Sequence, residues 1–216
     1  MTARVLHWRP EPGWRVAGSR PLDASKVQAP GAVRLPSGGI RLFYTGVGPD
    51  RPYPQSQGYI LSAISSDGLA FSVEDGIRVA PTPEIPWLSR RALAPTVTAL
   101  PDGRWRMYFE ARGPATRPTV IASAVSHDLL AWDVEPGIRL GRLDDVGGPR
   151  FVRLPDGRGR IYCFSRADRS VLSAITWDGL TFEWEPGDRI VGGQTELESS
   201  GITAADVIPP RQPDDA

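Results

Sequence analysis

Residues 132–140 read WDVEPGIRL, and close copies of this phrase occur at 8–16 (WRPEPGWRV), 71–79 (FSVEDGIRV) and 182–190 (FEWEPGDRI). The shared order is aromatic, two variable residues, Glu, Pro or Asp, Gly, one variable residue, Arg and an aliphatic. The glutamates Glu11, Glu74, Glu135 and Glu185 stand 63, 61 and 50 residues apart. A period of that length marks a toroid or array of similar units, each unable to bury its apolar face alone.

Aligning the chain on the phrase exposes a longer unit. An apolar stretch runs into a turn (APGAVRLPSGG, APTVTALPDGR, GGPRFVRLPDGR), and a basic-led aromatic stretch follows (IRLFYTG, WRMYFEA, GRIYCFS). After a loop comes a third stretch (YILSAISSDGLAF, VIASAVSHDLLAW, VLSAITWDGLTF), and the phrase closes the unit. This is the pattern of short strands between turn signals, without helical periodicity. Leu-Pro-Asp-Gly at 100–103 and 154–157 supplies a fixed φ, a side chain that bonds backbone, and a glycine free to take positive φ. The Pro-Gly of the phrase suits a turn or bulge in an outermost strand. Glu135 and Arg139 are expected to pair across that kink.

Four antiparallel strands, repeated, make a propeller blade. The expected fold is therefore all-β, a β-propeller that is incomplete in this chain. Full blades are expected at 24–79, 93–140 and 146–190. Residues 1–22 are read as the N-terminal strand of a closing blade, and 200–216 as the start of a further one. The missing strands predict either a piece of a longer reading frame or a chain that pairs with a second copy. The sequence leaves the oligomeric state open.

Composition narrows the functional classes. The chain has 25 basic and 25 acidic residues, so no charge excess points to nucleic acid or to an anionic membrane. Cys163 is the sole cysteine, placed in an apolar strand, and reads as a small buried hydrophobe. No apolar leader follows Met1, which makes the cytoplasm the expected location. His7 and His127 fall at unrelated places in the repeat, so no zinc spacing arises. There is no Gly-x-Ser-x-Gly elbow, and Gly46-Val47-Gly48 does not extend to a dinucleotide loop.

In such a fold the tight hairpins gather on one face and the longer connections on the other. The longer set is 46–58, 80–93, 112–119, 141–148 and 191–201. Function is expected on that loop-rich face and in the central funnel.

The strand pair x-Pro-x-Val…Leu-Pro-Asp-Gly-x-x-x-(Met/Ile)-Tyr, followed by Ser-Ala-x-Ser-x-Asp-Gly-Leu-x-(Trp/Phe), resembles the five-bladed propeller glycoside hydrolases of the arabinanase, xylosidase, invertase and levansucrase type. The Ser-x-Asp-Gly-Leu-x-aromatic turn is also similar to the Asp-box of sialidases. The resemblance implies a small glycan or glycoside as partner and two carboxylates flanking the scissile bond. It would place a carboxylate before the first-strand proline, where this chain has Ala29, Ala94 and Gly148, and another acid at Gly147. Asp206 fits a first-strand carboxylate position whose counterparts are Thr96 and Arg150.

The catalytic candidates are Asp206, Glu110 and Asp145. Glu110 reads either as a funnel acid or as an ion-pair partner of Arg112. Asp144 and Asp145 read as a turn, as contacts to sugar hydroxyls, or as ligands of a structural calcium; no other cofactor is expected. Arg150, Thr96 and Arg112 are candidate substrate contacts, with structural ion pairing as the competing role of the arginines. The recurrence of Arg112 and Arg166 favours bonding between blades. Trp87 and Tyr53 lie on long loops as stacking platforms, capping of a blade seam being the favoured use of Trp87. Two functions follow: a glycosidase-like propeller with a depleted acid–base set, or a non-catalytic propeller that binds a glycan or protein through its loop face.

Overall fold

The computed structural model describes residues 9–52, 55–142, 145–193, 196, 202 and 205–207. The described strands fall into three antiparallel groups of four. The first holds β1 (Lys26–Arg34), β2 (Ile40–Val47), β3 (Gly58–Ser65) and β4 (Ser72–Val73). The second holds β5 (Arg91–Ala99), β6 (Trp105–Arg112), β7 (Val120–Ser126) and β8 (Asp133–Val134). The third holds β9 (Val146–Arg153), β10 (Gly159–Ser165), β11 (Ser170–Thr176) and β12 (Glu183–Trp184), with β13 (Ile190–Val191) also pairing β11. Within each group neighbours in sequence are neighbours in space. A single parallel bridge, Gly58 to Arg91, joins the first two groups into one sheet. The molecule is an all-β propeller, and no α-helix occurs among the described residues.

The turns form as their chemistry requires. The Leu100 N–H donates to the Arg104 carbonyl at 2.8 Å, the Leu154 N–H to that of Arg158 at 2.8 Å, and the Leu35 N–H to that of Gly39 at 3.1 Å. Gly103 and Gly157 take φ values of 84° and 89°, which a side chain would strain. In the other hairpins Asp67 Oδ1 accepts from the Leu69 and Ala70 amides at 2.8 and 2.9 Å, and Asp178 Oδ1 accepts from Leu180 and Thr181 at 2.7 and 2.8 Å. Those bonds favour the charged form and lower both carboxyls from an ordinary 3.8 to about 2.

The repeated phrase is a kinked outer strand. Its first half pairs with the third strand as β4, β8 or β12. It then loops out and returns at Val79, Leu140 or Ile190. The glycine of the kink has φ of 85°, 84°, 79° and 78° at Gly13, Gly76, Gly137 and Gly187. The phrase arginine closes each kink by donating to the carbonyl three residues earlier: Arg15 to Pro12, Arg78 to Asp75, Arg139 to Pro136 and Arg189 to Pro186.

The phrase glutamate behaves differently from the sequence expectation. Glu135 pairs with Arg106 at the head of β6, not with Arg139, and it also accepts from Ser123 Oγ at 2.6 Å. Glu74 takes Arg41 and Ser62 in the same way, and Glu185 takes Arg160 and Ser173. Only Glu11, at the N-terminal copy, pairs with its own phrase arginine among the described residues, at 2.5 Å from Arg15. The serines and arginines lie on the second and third strands, so the outer strand is bolted through the sheet. Burial raises the Glu74 carboxyl, but the bonds from Arg41 and Ser62 outweigh it and leave the group below its ordinary 4.5. Glu185 is lowered in the same way by Arg160 and Ser173.

The seams between blades repeat as well. Phe43 meets Trp132 edge-to-face at 5.7 Å and 87°, and Tyr108 meets Phe182 at the same distance and angle. Such pairs add about 1 kcal/mol beyond area burial. Arg41 donates to the Asp128 carbonyl and Arg106 to that of Asp178, both at 3.2 Å. The phrase arginines Arg15, Arg78 and Arg139 reach the carbonyls of Leu69, Leu130 and Leu180 in the following turn. The N-terminal phrase thus grips the first blade as Arg78 and Arg139 grip the second and third. Buried cores fill the seams, with Phe43, Phe109 and Met107 in one and Tyr108, Ile161 and Cys163 in the next. Burial pushes the Cys163 thiol up to about 12, consistent with an inert core residue.

Candidate functional site

The first strands converge on one another. Arg150 Nη2 on β9 reaches the Pro30 carbonyl on β1 at 3.4 Å, and the Phe151 N–H donates to Thr96 Oγ1 on β5 at 3.3 Å. Each first strand breaks its ladder at the pre-proline residue, with register shifts at Gln28/Gly31, Leu93/Thr96 and, in the β9–β10 pairing, Tyr162/Phe164. Ala29, Ala94 and Gly148 all adopt left-handed backbone, at φ of 50°, 51° and 57°. For alanine this conformation costs about 1 kcal/mol. Two bulges are held by the neighbouring blade: Thr45 Oγ1 accepts from the Ala94 N–H at 2.8 Å, and Glu110 Oε2 from the Gly148 N–H at 3.0 Å.

That contact explains Glu110. It occupies on β6 the place that Thr45 occupies on β2, is 4 % exposed, and has its other oxygen on Arg112 at 2.6 Å. A Cβ on Gly147 would stand 2.2 Å from Glu110 Oε2, so the glycine there makes room for the carboxylate. Asp206 is exposed and lies 3.5 Å from Arg150 Nε. Burial lowers the Arg150 guanidinium, and the charge of Asp206 opposes that shift. Asp145 accepts from the Thr119 N–H at 2.7 Å and lies 3.9 Å from Arg166. Each of the three candidate carboxylates therefore has an arginine beside it.

The other candidates are distributed as follows. Thr96 supports the Phe151 amide. Trp87 is half-buried and packs with Ile85 on the core of the first seam. Its loop passes close to the second blade, where a Cβ on Gly113 would meet the Pro86 carbonyl at 2.2 Å. Arg112 bonds Glu110 within its own blade, and Arg166 faces Asp145 at the entrance to its own blade. Tyr53 and Asp144 lie outside the described residues. Among the described residues no cluster of His, Cys, Asp and Glu is placed to hold a metal ion.

The sequence reading missed the arginine groove on the loop face. A cavity of about 330 Å³ opens there between the connections of three blades, from Ser56 past Arg90 and Arg91 to Arg112, Arg117 and Arg166. It runs into a second hollow of about 500 Å³ that shares Ala115, Arg117, Asp145 and Arg166. Five guanidinium groups face two carboxylates, Asp145 in the wall and Glu110 behind Arg112. Arg90 and Arg117 are exposed. The signal in the sequence was the Arg90-Arg91 pair and Arg117 in RGPATRPT, three basic residues on long loops of a chain whose total charge is zero.

No protein-family model matches the chain. No curated protein matches it in sequence. Solved structures do match in fold. A Bacteroides thetaiotaomicron protein assigned as a glycosidase aligns with a TM-score of 0.64 at 17% identity, over 81% of this chain and 56% of its own. A family 117 glycoside hydrolase of the marine bacterium Zobellia galactanivorans aligns at 0.64 and 17%, over 78% of this chain and 58% of its own. Sucrose-6-phosphate hydrolase from Lactobacillus gasseri aligns at 0.63 and 18%, over 81% of this chain and 38% of its own. The protein has the β-propeller fold found in glycoside hydrolases, and it spans about half the length of the first of these structures. At such identities the likeness concerns the backbone and leaves the chemistry to the residues.

Proposed function

We propose that this chain is a carbohydrate-directed propeller whose described residues supply a binding face rather than a hydrolytic carboxylate pair. The fold is one that glycoside hydrolases use, and the loop face carries a groove large enough for a saccharide. The observation that carries the choice is the state of the carboxylates. Hydrolysis by two carboxyl groups needs one free to protonate the leaving oxygen and one free to act as base or nucleophile. Glu110 is spent on Arg112 and the Gly148 amide, Asp145 on Thr119 and Arg166, and the pre-proline positions hold Ala29, Ala94 and Gly148.

The test pairs a soluble glycan binding panel with a panel of aryl glycosides. Saccharide binding is expected, with no turnover that depends on Asp206. Turnover that disappears in Asp206→Asn, in a variant that still folds, would instead favour the glycosidase reading, since Asp206 is exposed and lies beside Arg150 of β9.

A further inference from the structure

We propose that the groove on the loop face recognises a saccharide bearing anionic groups, carboxylate or sulfate, through Arg90 and Arg117. The inference rests on the carbohydrate reading above and adds the charge of the ligand. The groove gathers five guanidinium groups, four from the second blade and its entry connection and one from the third, against two carboxylates, although the chain as a whole is neutral. Two of the five are already engaged by the protein: Arg112 holds Glu110, and Arg91 donates to the Ser56 carbonyl at 3.0 Å. Arg166 keeps one edge toward Asp145 and lies over the Phe164 ring. Arg90 and Arg117 both line the cavity, on the connection before β5 and the loop after β6. Among the described residues their guanidinium groups have no hydrogen bond or ion pair.

A planar guanidinium matches carboxylate and sulfate oxygens in a two-pronged geometry. Several like charges in one concave, partly desolvated cleft focus the field on an anion. The two connected hollows, about 330 and 500 Å³, suit a ligand of more than one sugar ring, with its charges spaced along the chain.

The experiment measures binding by calorimetry at low and moderate salt. The probes are a galacturonate oligomer, a neutral galactose oligomer of equal length, a sulfated galactose oligomer of equal length, and polyglutamate. Proteins are the whole chain, Arg90→Ala, Arg117→Ala and the double variant, each checked for an unchanged melting temperature. The proposal expects the uronate or the sulfated oligomer to bind at least about tenfold more tightly than the neutral one. The better of the two identifies the anion. The double variant is expected to lose about tenfold or more of that affinity while neutral binding, if any, stays the same. Added salt should weaken the anionic ligands selectively. Equal binding of neutral and anionic oligomers, insensitive to both substitutions, would overturn the charge assignment and leave the carbohydrate reading standing. Polyglutamate binding as tightly as the saccharides would overturn the proposal together with that reading, as would no binding by any saccharide.

Discussion

At the two described blade seams arginine recurs in register, and the copies that meet a following blade do matching jobs. Arg41 and Arg106 each join a glutamate of their own blade to a backbone carbonyl of the next. Arg78 and Arg139 close a kink and then cross the seam. On the loop face Arg112 and Arg166 still match, each beside a carboxylate, but Arg90 and Arg117 have no counterpart in register. Counting back four places from the pre-proline residue, Arg90 falls where the other blades have Ser25 and Asp144. The contrast separates two uses of one side chain. Arg41, Arg78, Arg106 and Arg139 repeat and hold blade to blade, while Arg90 and Arg117 occur once and have no side-chain partner among the described residues.

The comparison can be broken most forcefully at the seam. Glu135→Ala leaves the Arg106 guanidinium, 8 % exposed, without its carboxylate and should cost about 3 kcal/mol in urea unfolding. Next in size is the response to acid. Asp67, Asp178, Glu74 and Glu185 have folded values below their unfolded ones, so their contribution is complete at neutral pH. It is lost as pH falls from about 4.5 toward about 2, because the unfolded chain then takes up protons that the folded one resists. Melting temperature followed across that interval should drop steadily, and Asp67→Asn should flatten part of the drop.

Arg139→Ala removes one kink closure and one cross-seam bond, and is expected to lower stability by about 1 kcal/mol. Ala29→Gly relieves a left-handed alanine and should raise stability by about 1 kcal/mol. Smallest of all, Arg117→Ala on the loop face should change unfolding by no more than about 0.5 kcal/mol. A large loss from Arg117→Ala, or none from Glu135→Ala, would erase the distinction between the two regions.

Much of this architecture was legible because it repeats. The aromatic strands, the Leu-Pro-Asp-Gly turns and the kinked phrase follow from local chemistry copied along the chain, and they appear as β-strands, tight turns and an interrupted outer strand. The glutamate of the phrase was misassigned for a physical reason. Its partner Arg106 is 29 residues away on the second strand and is reached across the third, which no local pattern shows. Glu110 was visible as a strand residue paired with Arg112. Its bond to the Gly148 amide depends on two blades meeting, which spacing cannot reveal. The arginine groove escaped for the same reason, since Arg90, Arg117 and Arg166 come from three separate connections.

The central claim is a division of labour between seams and loop face, and amide hydrogen exchange on the intact protein tests it most directly. Exchange would be compared with and without a saturating galacturonate or sulfated galactose oligomer. Slower exchange is predicted at 112–119 and 145–148, with the tight turns at 35–39, 100–104 and 154–158 unchanged. Protection confined to those tight turns, with the loop segments unaffected, would contradict the account.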